Sequence, residues 1–185
     1  RYYHLEGYLF PDTYDFYQND DISSVLMKLV NNANKKLMDE ELQEQIANSG
    51  MSMDEVLTLA SIIQMEAADA DDMYLVSSVL HNRLENGAQY DIYTLDCDST
   101  MYYPYRTKEQ VPEDQRETFV STYNTYNLGG LPAGPICNPG LDAVKAALNP
   151  ESTNYYYFCH DAEGNAYYAR TSSEHEQNLV KAGLR

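Results

Sequence analysis

The chain has 185 residues, with 12 Lys and Arg against 29 Asp and Glu, a formal net charge of −17. Hydrophobic content of 43% with a mean hydropathy of −0.56 describes one globular domain rather than a disordered segment, and no run of about 18 apolar residues spans a membrane. The acidic balance argues against nucleic acid, whose binding is dominated by phosphate neutralisation, and against docking on anionic lipid through a basic patch.

Arg1-Tyr2-Tyr3 opens the chain without a Met or a signal-type segment, which reads as a piece of a longer protein. Residues 1–19 mix apolar residues with Gly7 and Pro11 and predict a short strand followed by a loop. From Asp21 the apolar positions Ile22, Val25, Leu26, Leu29, Val30, Ala33 and Leu37 have helical spacing, with Asp20 or Asp21 as cap. A shorter helix around Leu42 and Ile46 ends at Gly50. Ser52 and Glu55 form a capping-box pattern before a mostly apolar helix running to Ala67. Asp69, Asp71 and Asp72 supply the acidic start of the next helix, which Gly87 is expected to close.

Residues 88–135 have weak periodicity and many Tyr, Pro, Gly, Asn and Thr, the pattern of a functional loop. Asn138-Pro139-Gly140 predicts a helix start with Asn138 as N-cap and Pro139 in the first turn. Tyr155–Cys159 and Ala166–Ala169 predict a hairpin, and a short helix over 173–182 ends the chain. Helices first and a small sheet late make the fold class α+β. Three scattered cysteines (Cys97, Cys137 and Cys159) form no disulfide framework and no C-x-x-C pair, and read as small buried thiols. Eighteen tyrosines without a Trp suit either a groove for a polar ring-shaped ligand or the edge of a core. His4, His81, His160 and His175 show no metal-ligand spacing.

Glu66 stands out. Leu59, Ile62, Ile63 and Glu66 are spaced by three, four and seven positions, so they share one helical stripe that is otherwise aliphatic. A carboxyl group drawn toward low dielectric has its pKa raised above about 4.3, and a carboxylic acid that keeps its proton near neutral pH is a general acid. At this level two readings stay open: that acid, or a side chain that bends out to water or pairs with Arg83. Gln64 falls on another face and is expected to be solvated.

Several ordered segments together resemble the YceG-like family of endolytic murein transglycosylases. They are Leu5-Glu6-Gly7-Tyr8 through Pro11-Asp12-Thr13-Tyr14, Leu57 to Glu66, and Val79 to Gly87 with Asn82-Arg83-Leu84. Asp98-Ser99-Thr100, Tyr123-Asn124-Thr125-Tyr126, Gly130 to Gly140, Tyr155 to Phe158 and Glu174-His175 complete the set. The resemblance covers almost the whole chain and implies that Glu66 is the catalytic acid. The chain departs from the family pattern at Gln64, Ser99, Ala133 and Glu176, which bears on loop geometry and on any two-carboxylate role at residue 64.

The same resemblance implies a single catalytic domain, residues 1–185, of a protein whose membrane anchor and LysM-like subdomain lie outside the sequence, acting on the extracytoplasmic face of the cell membrane. It implies cleavage of the bond between N-acetylmuramic acid (MurNAc) and N-acetylglucosamine (GlcNAc) in peptidoglycan glycan strands, without a metal or organic cofactor, and names cell-wall synthases as candidate partners. Tyr123, Asn124, Tyr126, Asn82 and Asn138 are candidate sugar-binding groups, with Thr125 in the same motif. Gly129, Gly130 and Gly134 are candidates for close backbone approach to the sugar, with Pro132 a candidate in the same motif; the alternative for the glycines and Pro132 is plain turn chemistry. Arg83 is a candidate orienter of a carboxylate, Asp98 the candidate second acid, and Glu6 either lines the groove or braces the opening loop. Two alternatives remain: a muramidase-type hydrolase using Glu66 plus Asp98, and a module that binds peptidoglycan without cutting it.

Overall fold

The computed structural model describes residues 1–185. Six α-helices and one two-stranded hairpin make an α+β fold. The helices are α1 (Ile22–Leu37), α2 (Glu40–Ser49), α3 (Met53–Glu66), α4 (Asp72–Asn86), α5 (Leu141–Leu148) and α6 (Ser172–Lys181). Strands β1 (Tyr157–His160) and β2 (Ala166–Ala169) pair antiparallel, with Tyr157 opposite Ala169 and His160 opposite Ala166.

Helix α3 is the axle. Every residue from Val56 to Ile63 is buried; six are apolar, and the hydroxyls of Thr58 and Ser61 donate to the Asp54 and Thr58 carbonyls within the helix. It packs on α5 and α4, and the two fully buried isoleucines, Ile62 and Ile63, contribute on the order of 1.5–3 kcal/mol each. The predicted capping box is formed: the Ser52 hydroxyl accepts from the Glu55 N–H, and the Glu55 carboxylate accepts from the Ser52 N–H. Asp21 caps α1, and Gly50, at φ +74°, ends α2 as expected.

Three local expectations are corrected. Residues 1–19 contain no strand, because their backbone is satisfied by a side chain rather than a neighbouring strand. The Asn138 Oδ1 accepts from the N–H groups of both Gly7 (2.8 Å) and Leu9 (3.0 Å). Gly7 itself sits at φ +89°, and a Cβ there would collide with Pro135. Asn138 is therefore not the N-cap of α5; Gly140 is. Gln64 is not free in water, since its Oε1 accepts from the Gly140 N–H at 3.0 Å and fixes the entry to α5. Gly87 closes α4 as its C-cap, as expected, though at a right-handed φ of −56°, and a separate 3-10 turn, Gly87–Tyr90, follows.

The Asn138 anchor makes a direct prediction. Asn138→Ala leaves two N–H groups without an acceptor and is expected to cost about 2 kcal/mol. Urea unfolding should show a lower midpoint at an unchanged slope; an unshifted midpoint removes the anchoring role.

Candidate active site

Glu66 is the last residue of α3, at the carbonyl end of the helix. Its Oε1 accepts a hydrogen bond from the Ser99 N–H at 3.0 Å. Ser99 is carried by a 3-10 turn, Asp98–Thr100, and that turn is pinned from below by two buried threonines. The Thr100 hydroxyl donates to the Cys97 carbonyl, and the Thr100 and Thr125 hydroxyl oxygens lie 2.9 Å apart. Thr125 accepts from the Cys97 N–H at 2.9 Å and donates its own N–H to Thr100. A turn tied at this many points holds the Ser99 N–H in one direction, toward Glu66.

The half-buried Glu66 carboxyl has its pKa raised, first by desolvation and further by the charge of Asp98. The Ser99 hydrogen bond and the His160 ring pull the other way and do not cancel the rise. An anion at a helix carbonyl end is disfavoured in the same sense as the desolvation. The aliphatic stripe does what the spacing suggested, and the ion-pair reading fails because Arg83 is engaged elsewhere.

A cleft of about 540 Å³ opens beside Glu66. Asp98 and Tyr126 stand on its exposed rim, with the Tyr126 hydroxyl donating to the Asp98 Oδ1 at 2.7 Å. Arg83, Asp96, Tyr157 and His160 line its depth. The Arg83 guanidinium donates to the carbonyls of Tyr156, Thr94 and Leu95 and to the Asp96 carboxylate, and lies 5.1 Å from the centre of the Tyr157 ring. It therefore ties α4, the 94–96 loop and β1 together as one wall. His175 stacks on Tyr157 from α6, and burial lowers its pKa, favouring the neutral ring.

Of the sequence candidates, Glu66, Asp98, Tyr126 and Arg83 share this cleft. The others stand apart from it. Tyr123 is buried in an aromatic cluster with Tyr2 and Tyr103, at ring distances of 5.7 and 4.7 Å. Asn124 Oδ1 accepts from the Tyr126 N–H and shapes the turn that presents Tyr126. Thr125 is fully buried beneath Ser99. Asn82 donates to the Thr153 and Tyr155 carbonyls and secures the segment entering β1. Pro132 is buried, and Gly134 is covered by the Arg1 side chain. Glu6 and Asn138 stand side by side in the lining of a second cavity, where Glu6 accepts from the Asn138 amide and from the Tyr103 hydroxyl.

Three residues escaped the reading of the sequence. Ser99 acts through its main chain, which leaves no side-chain signature. Asp72 and His160 are 88 positions apart, yet the His160 Nε2 lies 2.7 Å from one Asp72 oxygen, within hydrogen-bond distance, and the Tyr168 hydroxyl donates to the other Asp72 oxygen. Asp72 also accepts from the Ala68 N–H, two residues beyond Glu66, so it clamps the end of α3 to the hairpin. Only the acidic Asp69–Asp72 stretch hinted at this, and it read as an ordinary helix start. Cys159 lines the cleft and Cys97 lies beneath it, and burial pushes both thiols up, away from thiolate chemistry.

The model of the YceG-like family matches residues 1–181. An endolytic murein transglycosylase of Bacillus subtilis (strain 168) is 33% identical over 179 residues, covering 96% of this chain and 48% of that protein. One from Streptococcus pneumoniae serotype 2 (strain D39 / NCTC 7466) is 31% identical over 182 residues, covering 97% of this chain and 32% of that protein. The crystal structure of a yceG-like protein from Listeria monocytogenes superposes with a TM-score of 0.78 at 33% identity, over 94% of this chain and 55% of that one. The chain thus spans about half the length of the Bacillus relative and about a third of the Streptococcus one.

Proposed function

The chain belongs to the YceG-like family, and from that premise we propose that it is the catalytic part of an endolytic peptidoglycan lytic transglycosylase. Its substrate is the MurNAc-β-1,4-GlcNAc bond within a glycan strand, and Glu66 is its acid and then its base. The observation that carries this reading is a half-buried carboxyl of raised pKa, held by one main-chain N–H at the edge of a cleft lined by both polar and apolar side chains.

The chemistry follows from one carboxyl group. Protonated Glu66 gives its proton to the glycosidic oxygen, and the bond from that oxygen to C1 of the muramic sugar breaks through an oxocarbenium-like transition state. The GlcNAc side leaves as an alcohol. The C6 hydroxyl of the muramic sugar then bonds to C1, and Glu66, now a carboxylate, takes the hydroxyl proton. The product end is a 1,6-anhydro sugar, no water is consumed, and Glu66 returns to its starting state. The Ser99 N–H supports the carboxylate when it forms, and the Tyr126–Asp98 pair offers polar contacts at the rim. The nucleophile belongs to the substrate, so a second enzyme carboxylate is not required.

Digestion of purified peptidoglycan, read by mass spectrometry, tests this. New ends should be one water lighter than reducing sugars. Ends carrying an added water would instead assign a muramidase-type hydrolase, with Asp98 as the second carboxylate. Strands left uncut would assign a binding module. No helix of the chain is long and apolar enough to cross a membrane. We place its action on the extracytoplasmic face through a membrane anchor outside residues 1–185, beside cell-wall synthases.

A further inference from the structure

A second cavity, of about 340 Å³, lies on the other side of the turn that holds Glu66. Ser99 is the divide: its N–H bonds Glu66, while the residue also lines this second cavity. Met65, the neighbour of Glu66 on α3, lines it too. The Ser99 hydroxyl oxygen at this divide is buried and has no hydrogen-bond partner in the protein. Tyr3, Tyr103 and Tyr105 give the cavity flat apolar walls with polar tips, the surface that suits a sugar ring.

Arg106 stands at this cavity and is exposed. Its guanidinium meets only the Met65 sulfur, at 3.5 Å, and joins none of the chain's ion pairs. Through Met65, the residue before Glu66 on α3, this free guanidinium is tied to the helix end that carries the proposed acid. Glu6, the acid in the same cavity, accepts from Asn138 and Tyr103 and forms no ion pair with Arg106. A guanidinium matches a carboxylate in a planar, two-pronged hydrogen bond.

We infer that this second cavity is a saccharide subsite next to the cut bond, in which Arg106 binds a carboxylate carried by the strand. The inference rests on the proposed function, and it makes the substrate class more specific: a glycan with carboxylate substituents. Two sources offer that group, the lactyl carboxylate of a bare muramic sugar and the carboxylates of a peptide attached to it. The tyrosines hold the ring, Arg106 holds the charge, and Glu6, anchored on its own wall, accepts from hydroxyl or amide N–H groups of the same sugar.

The test is binding to the Glu66→Gln protein, with and without Arg106→Ala. Three ligands of matched length are compared: peptide-bearing glycan strands, strands stripped of peptide by an amidase, and chitin oligosaccharides without carboxylates. Arg106→Ala should weaken binding of a carboxylate-bearing strand by about tenfold and leave chitin oligosaccharides unchanged. Arg106→Lys should recover part of the loss. Loss confined to stripped strands assigns the lactyl group; loss confined to peptide-bearing strands assigns the peptide. Equal effects on all three ligands, or none on any, overturn the inference while leaving the transglycosylase reading in place. Failure of Glu66→Gln to bind any strand overturns the reading itself, and the inference with it.

Discussion

Glu66→Gln is expected to lower the rate of glycan cleavage by about 10²–10⁴-fold, the usual contribution of a positioned acid, while the protein stays folded. Glutamine keeps an oxygen that can accept from the Ser99 N–H, so the turn has no reason to move. What it cannot do is give a proton. Stability should respond in a defined direction. The folded Glu66 has a raised pKa, so the folded state binds its proton more tightly than the unfolded chain does. Its cost to stability is absent below the unfolded value and grows as pH rises through the window toward the folded value. Glu66→Gln removes that cost. The variant should therefore be the more stable protein at neutral pH, and the gap should close in acid. The wild-type rate, which needs the protonated form, should fall as pH rises past the folded pKa. Chemical denaturation at several pH values and digestion of purified strands read both quantities. A correctly folded variant with full activity would end the mechanism.

Arg83→Met should have the largest effect on stability. The Arg83 side chain is 8% exposed, and its guanidinium serves three carbonyls and one carboxylate. Methionine fills much of the space but donates nothing, so Asp96 and the carbonyls of Tyr156, Thr94 and Leu95 are stranded. Breaking a largely buried charged hub of this kind costs about 3–5 kcal/mol, which for a chain of this size lowers Tm by on the order of 10 °C. Activity should fall with it, because the same residue joins three elements into the cleft wall. Arg83→Lys should recover little, since one ammonium cannot reach four acceptors in a fixed fork. An unchanged Tm in Arg83→Met would show that the wall is held by other contacts.

The helices were legible in the sequence because their signals are local. The Asp21 cap, the Ser52–Glu55 box and Gly50 each act within four residues of their own position, and each forms as the pattern required. The stripe carrying Glu66 was legible for the same reason, since three and four positions along a helix fix which side chains share a face. The opening segment was misread as a strand because its backbone partners are not in its own neighbourhood. They come from Asn138, more than 120 positions away, and no period along the chain encodes that distance. The Y-N-T-Y segment shows the other limit. Within four residues Tyr123 enters the core, Asn124 shapes a turn, Thr125 braces Ser99 and Tyr126 reaches the cleft. Outside regular structure, consecutive side chains have no common direction.

The sequence by itself determined the helical frame, the α+β class and the one carboxyl on an aliphatic stripe, because these depend on spacing within a few turns. Only the tertiary structure decided which groups surround that carboxyl. The Ser99 N–H, the Asp72–His160 clamp and the Arg83 hub join residues from 11 to 88 positions apart. Such contacts arise only when the core on α3 closes and brings the long loop and the hairpin against the end of one helix.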